Sequence, residues 1–141
     1  MKESFNADAL VQAAFRAAGN AYAPYSGYRV GAALLTADGT VYTGCNVENA
    51  SYPLGNCAER TAVFKAVSDA KRDFTALAVA ALPPEGVALD YCTPCGACRQ
   101  VLAEFCGEEF PVYCARRPEE YRQFTLGELL PHSFKAVSFG K

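Results

Sequence analysis

The segment "YRVGAALLTADGTVYTGCNV", residues 28–47, does most to restrict the fold of this chain. It reads as two strands meeting at Asp38-Gly39, and an Asp-Gly pair between such stretches is a strong hairpin signal. Helical and strand periods then alternate around it. Leu10, Val11, Ala14, Phe15 and Ala18 recur at helical spacing after an Asn6 cap, and Gly19-Asn20 closes that helix. A second helical pattern runs from Cys57 to about Ala70. "FTALAVAAL" is a short apolar run before Pro83-Pro84, suited to a buried strand. A third helix is expected from Pro94-Cys95 to about Cys106, proline being welcome in a first turn. "FPVYCA" gives a further strand and "TLGELLP" a short helix. The order α-β-β-α-β-α-β-α predicts a mixed sheet with helices on both faces, a three-layer αβα sandwich forming one domain over 1–141.

Composition excludes several classes. With 51% hydrophobic and 20% charged residues the chain is an ordinary globular one. Thirteen basic and fifteen acidic side chains leave a net charge of −2, and no basic run exceeds a pair, so a nucleic-acid partner is not expected. A small, nearly neutral ligand suits this balance better. "MKESFNADAL" holds no uninterrupted apolar segment, and no stretch approaches a membrane span, so a cytoplasmic location is expected. The seven cysteines fall below the density of a disulfide scaffold. In a reducing compartment such a cluster is more often metal-binding or catalytic than cross-linked.

The chemistry gathers in two places. In "YCTPCGACRQ", residues 91–100, Cys95 and Cys98 fall at i and i+3 in a helical first turn, and Val101, Leu102 and Phe105 continue their inward face. Thiols at a helix N-terminus sit where the macrodipole favours thiolates. The pair alone reads equally as a redox couple, half a zinc site or core packing. In "NCAER", residues 56–60, Glu59 begins the row Glu59-Val63-Val67, so it is either a buried carboxylate or an exposed first-turn acid. Cys57 converges with Glu59 only at the helix end, and with Cys95 and Cys98 only if two helix N-termini abut. Three thiolates with one open position would then be a catalytic zinc arrangement. Cys-x-Glu followed by Pro-Cys-x-x-Cys is the established signature of zinc-dependent deaminases.

With these motifs the sequence resembles the small zinc-dependent cytidine deaminases of pyrimidine salvage. The likeness extends from "YSGYRVGAALL" through "GCNVENASYPLGNCAERTA" and "PCGACRQVLAEF" to "LLPHSF". It implies a mixed, mostly five-stranded sheet, and one Zn2+ per subunit held by Cys57, Cys95 and Cys98. It also implies hydrolytic deamination of cytidine and 2′-deoxycytidine to the uridines and ammonia. Water activated by the zinc would attack C4 of the ring, with Glu59 as proton shuttle. Asn46 and Glu48, otherwise a polar loop, would bind the ribose, and the Ala58 backbone would meet the pyrimidine edge. Phe134, which composition would leave as a tail residue, would enter a neighbouring subunit's site in a homotetramer, with Ala50 and Tyr52 also reaching across. Arg60, a surface arginine on sequence alone, would donate to the thiolates and offset their charge. Tyr28 departs from the family, which usually has Phe in the pocket lining; its hydroxyl needs a partner if buried.

Rival readings leave residues without a role. A thiol–disulfide oxidoreductase using Cys95 and Cys98 has none for Cys57, Glu59, Asn46 or Glu48. A structural zinc module would recruit Cys92 as a fourth ligand, whereas the expected helix start leaves Cys92 on a preceding strand or turn. A relative acting on the antibiotic blasticidin fits poorly with an intact N-V-E-N-A. His132 receives no role, and Cys45, Cys106 and Cys114 are expected to pack as small hydrophobes.

Overall fold

The structure, a computed structural model, describes residues 5–140. Helix α1 spans Ala7–Ala18, with Asn6 accepting from the Ala9 amide as N-cap. Strands β1 (Arg29–Thr36) and β2 (Val41–Cys45) pair antiparallel. Between them the Gly39 amide donates to Thr36 O and the Thr36 amide to Thr40 O, with Gly39 at φ 93°. The expected hairpin is therefore a three-residue loop closed by a left-handed glycine. Helix α2 is Ala58–Ser68, β3 Phe74–Leu82, α3 Gly96–Phe105 and β4 Pro111–Arg117. Strand β5 (Glu120–Thr125) and helix α4 (Leu126–Leu129) follow.

The five strands form one mixed sheet in the order β2-β1-β3-β4-β5. Only β3 and β4 pair in parallel, and α3 supplies the crossover this requires. Helices lie on both faces, which makes the αβα sandwich. On one face Leu10, Val11 and Ala14 of α1 meet Ala33, Ala76, Ala78, Ala80 and Ala115. On the other, Leu34, Leu77, Val79 and Val112 meet Val63 of α2 and Leu102 of α3. Alternate residues of β3 thus feed two cores, which is why its sequence is apolar throughout. Two glycines allow the helices to sit this close. A Cβ at Gly31 would lie 2.0 Å from Ala14 O of α1, and one at Gly44 would lie 2.5 Å from Ala58 O of α2.

Two expectations need correction. The residue pattern gave four strands; β5 was missed because it is an edge strand with Arg122 and Gln123 exposed, leaving little alternation to read. Pro94 lies outside α3, since Cys95 is extended (φ −67°, ψ 166°) and caps a helix whose first residue is Gly96. No described helix is long and apolar enough to cross a membrane.

This topology positions a site. β2 and β3 are both antiparallel to β1 and so run the same way, with β4 parallel to β3. Helices α2 and α3, which follow β2 and β3, therefore begin at the same edge of the sheet and on the same face. Their N-termini meet at the carboxyl ends of the strands, where open α/β sheets place their ligands.

Candidate metal centre and active site

The N-cap of α2 is Cys57 and the N-cap of α3 is Cys95. An N-cap oxygen ordinarily turns back onto its own helix, but neither thiol does so. They face each other instead, with the sulfurs of Cys57 and Cys95 3.9 Å apart and those of Cys95 and Cys98 3.5 Å apart. All three sulfurs lie within 4.8 Å of one another, a group that can hold a metal ion. Tetrahedral zinc with bonds of about 2.3 Å needs sulfur–sulfur edges of about 3.8 Å. The donor set and its spacing fit zinc, and three protein ligands leave the fourth position open.

Electrostatics agree with a cationic occupant. The Cys98 thiol and the Arg60 guanidinium hold Cys57 down at about 5. Cys98, facing Cys57 and buried, is pushed up instead. Three thiols that compete in this way for negative charge need a cation before all can ionise. Arg60 donates from Nη2 to the Cys57 sulfur at 3.2 Å, and that contact raises its own pKa. Its Nε is buried with no partner.

Glu59 follows Cys57 by two residues and is 5% exposed, confirming the inward row with Val63. It takes part in no ion pair among the described residues. Burial raises its carboxyl to about 7. It lines a cavity of about 370 Å³ together with Tyr28, Asn46, Ala58, Cys57 and Cys95. A neighbouring cleft of about 600 Å³ shares Asn46 and Cys57 and adds Glu48, Tyr52 and Arg60.

Cys92 is buried outside the three-thiol group, its amide donating to Ala115 O at 3.1 Å. Burial pushes its thiol up to about 12. Cys106 and Cys114 are likewise buried and Cys45 half-buried. The Tyr28 ring is 39% exposed, and its hydroxyl is raised by burial and by the nearby Cys92. Asn46 and Glu48 are engaged within the chain. Asn46 accepts from the Val30 amide at 2.8 Å and donates to Tyr28 O at 2.9 Å. Glu48 accepts from the amides of Tyr25 and Ser26 and from the Ser26 hydroxyl.

Phe134 is not brought to this site: it is 59% exposed and packs edge-on against Phe139 at 5.7 Å. Tyr52, 76% exposed, reaches the larger cleft, and Ala50 is exposed beside it. Sequence reasoning missed the irregular stretch Asp90-Tyr91-Cys92-Thr93, which lines the smaller cavity and carries no periodic signal. It also missed Ser26, which only the meeting of two distant loops reveals.

Fold and site together are those of a deaminase-like αβα enzyme, with three thiols able to hold a metal ion at paired helix N-termini beside a buried carboxyl. Residues 5–114 match the cytidine and deoxycytidylate deaminase zinc-binding region. The chain is 52% identical to the cytidine deaminase of Sporosarcina psychrophila, covering 89% of this chain and 88% of that one. It is 50% identical to the cytidine deaminase of Halalkalibacterium halodurans, covering 90% and 92%. The crystal structure of cytidine deaminase from Burkholderia pseudomallei superposes with a TM-score of 0.82 at 46% identity, covering 92% of this chain and all of that one. The chain belongs to the cytidine and deoxycytidylate deaminase family.

Proposed function

We propose that this protein is a zinc-dependent cytidine deaminase. It hydrolyses cytidine and 2′-deoxycytidine to the corresponding uridines and ammonia in pyrimidine nucleoside salvage, as a cytoplasmic single-domain subunit of a homotetramer with one zinc per subunit. One observation carries the chemistry: the buried Glu59 carboxyl, in no ion pair among the described residues, shares a cavity with Cys57 and Cys95 of the three-thiol group.

Cys57, Cys95 and Cys98 would hold the zinc, which when bound supplies Lewis acidity that lowers the pKa of water from 15.7 to about 7. The other steps belong to the chain's own residues. Glu59 takes the proton of the attacking water and delivers it to N3 of the pyrimidine. It then takes the proton of the hydroxyl now on C4 and passes it to the amino group, which leaves as ammonia while the C4 carbonyl forms. A carboxyl raised toward neutrality by burial suits a group that must both accept and return a proton. Arg60 draws charge from Cys57. The Ala58 backbone meets the pyrimidine edge and Tyr28 walls the base. A carboxylate offers about four acceptor sites, and Glu48 has three donors inside the chain, so one acceptor site is left for a ribose hydroxyl. Asn46 stands between the two cavities beside it. Exposed Phe134, with Ala50 and Tyr52, supplies apolar surface for the neighbouring subunit's site.

The test is to incubate the zinc-loaded protein with cytidine and measure ammonia and uridine, then repeat with Glu59→Gln. Turnover by wild type and a zinc-loaded, inactive mutant are expected. Turnover surviving in Glu59→Gln would sink the mechanism.

A further inference from the structure

Tyr28 stands just ahead of β1, which begins at Arg29, so no strand ladder fixes it. Two side chains hold its backbone instead. Its amide donates to the Ser26 hydroxyl at 3.0 Å, and its carbonyl accepts from Asn46 Nδ2 at 2.9 Å. Ser26 in turn donates its single proton to Glu48 Oε2. Glu48 Oε1 accepts from the Tyr25 and Ser26 amides at 3.0 and 3.1 Å. The two loops are held together beneath this clamp, because the Tyr22 amide donates to Asn46 O and the Glu48 amide to Tyr22 O.

A hydroxyl has one proton to give and two lone pairs to accept with. Ser26 spends the proton on a carboxylate and a lone pair on Tyr28, so it joins a group lining the larger cleft to the residue walling the smaller one. We infer that Ser26 is a positioning residue: its hydroxyl sets the Tyr28 wall of the pocket relative to the Glu48 carboxylate, and so tunes nucleoside binding without touching the reacting atoms. This rests on the deaminase reading above. Ser26 is exposed, so its loss leaves no buried polar group unsatisfied and the fold does not depend on it. Its effect falls on KM rather than on kcat or zinc content.

The experiment is steady-state kinetics on cytidine with zinc-loaded wild type, Ser26→Ala and Ser26→Thr, and with the same alanine change in a Tyr28→Ala background. Zinc content and thermal midpoint are measured on each. Ser26→Ala should raise KM roughly tenfold, the equivalent of one net hydrogen bond at about 1.4 kcal/mol, with kcat within about twofold. Ser26→Thr, which keeps the hydroxyl, should restore KM. In the Tyr28→Ala background the alanine change should add less than about twofold, since the wall it positions is gone. An unchanged KM in Ser26→Ala, no rescue by Thr, or an undiminished penalty without the Tyr28 ring would each overturn the inference while leaving the deaminase reading intact. A wild type that releases no ammonia from cytidine overturns the reading and the inference with it.

Discussion

Gly44→Ala tests the claim that α2 carries the active site on a close approach to β2. A Cβ at position 44 would lie 2.5 Å from Ala58 O and 2.6 Å from Ala62 N, both backbone atoms of α2. Ordinary contact begins at 3.4 Å, so the start of the helix must withdraw by about 0.9 Å. Overpacking of this kind destabilises by about 1–3 kcal/mol. At about 4 °C per kcal/mol for a chain of this size, the thermal midpoint falls by about 4–12 °C. Ala58 lies between Cys57 and Glu59, so the same shift separates the Cys57 thiol and the Glu59 carboxyl from the thiols of Cys95 and Cys98. A displacement near 1 Å is worth up to about 100-fold in rate, and a fall of roughly 10–100-fold in kcat/KM is expected. Leu10→Ala is the control. Leu10 is 4% exposed on α1, against the opposite face of the sheet. Its loss destabilises by about 2–5 kcal/mol without moving α2. Both variants are assayed for ammonia release per folded, zinc-loaded molecule well below their midpoints. If Gly44→Ala keeps wild-type kcat/KM, or Leu10→Ala loses as much, the coupling between β2 packing and site geometry is refuted.

Two further substitutions test the ligand set and its charge. Arg60→Gln removes the guanidinium 3.2 Å from the Cys57 sulfur. A hydrogen bond to a charged group contributes about 1.5–3 kcal/mol, so kcat should fall roughly 10–100-fold while zinc, measured by atomic absorption, stays at the wild-type level. Full activity would remove the charge-balancing role. Cys92→Ser should keep both zinc content and kcat/KM, because Cys92 lies outside the three-thiol group. Zinc loss there would instead indicate a closed, structural four-thiol centre.

Much of the fold is legible because its signals are local. Asp38-Gly39 marks the hairpin, Asn6 the start of α1, and the unbroken "FTALAVAAL" a strand covered on both faces. β5 escapes because it carries one apolar residue to each face, Tyr121 to one core and Phe124 to the other, with exposed Arg122 and Gln123 between them, so no period-two alternation forms. The cysteines divide in the same way. Cys95 and Cys98 read as a pair from spacing alone, but Cys57 joins them only through topology, once parallel running of β2 and β3 brings both helix starts to one edge. Cys92, equally spaced in sequence, falls away because α3 begins after it. The Ser26–Glu48 clamp has no sequence signature, since it needs two non-periodic loops laid side by side.

The two capping cysteines show what the site asks of the fold. Ser, Thr, Asp or Asn at an N-cap satisfies an orphan amide and stabilises a helix by about 0.5–2 kcal/mol, and both α2 and α3 forgo that bond. Such a local loss at two helix starts, on the same edge and aimed at one point, is the pattern expected where function overrides propensity. The unsatisfied amides keep the positive end of each helix, about half a unit charge, directed at the sulfurs. Three thiolates around a bound dication would leave one net negative charge, which two such helix ends could largely offset. Arg60, which donates to the Cys57 sulfur, would then make the surroundings slightly electropositive, the condition a thiolate-rich site would need to be a useful Lewis acid. The charge of the centre is therefore set as much by the paired helix starts as by any single side chain. That pairing, in turn, follows from the order in which β2 and β3 sit beside β1.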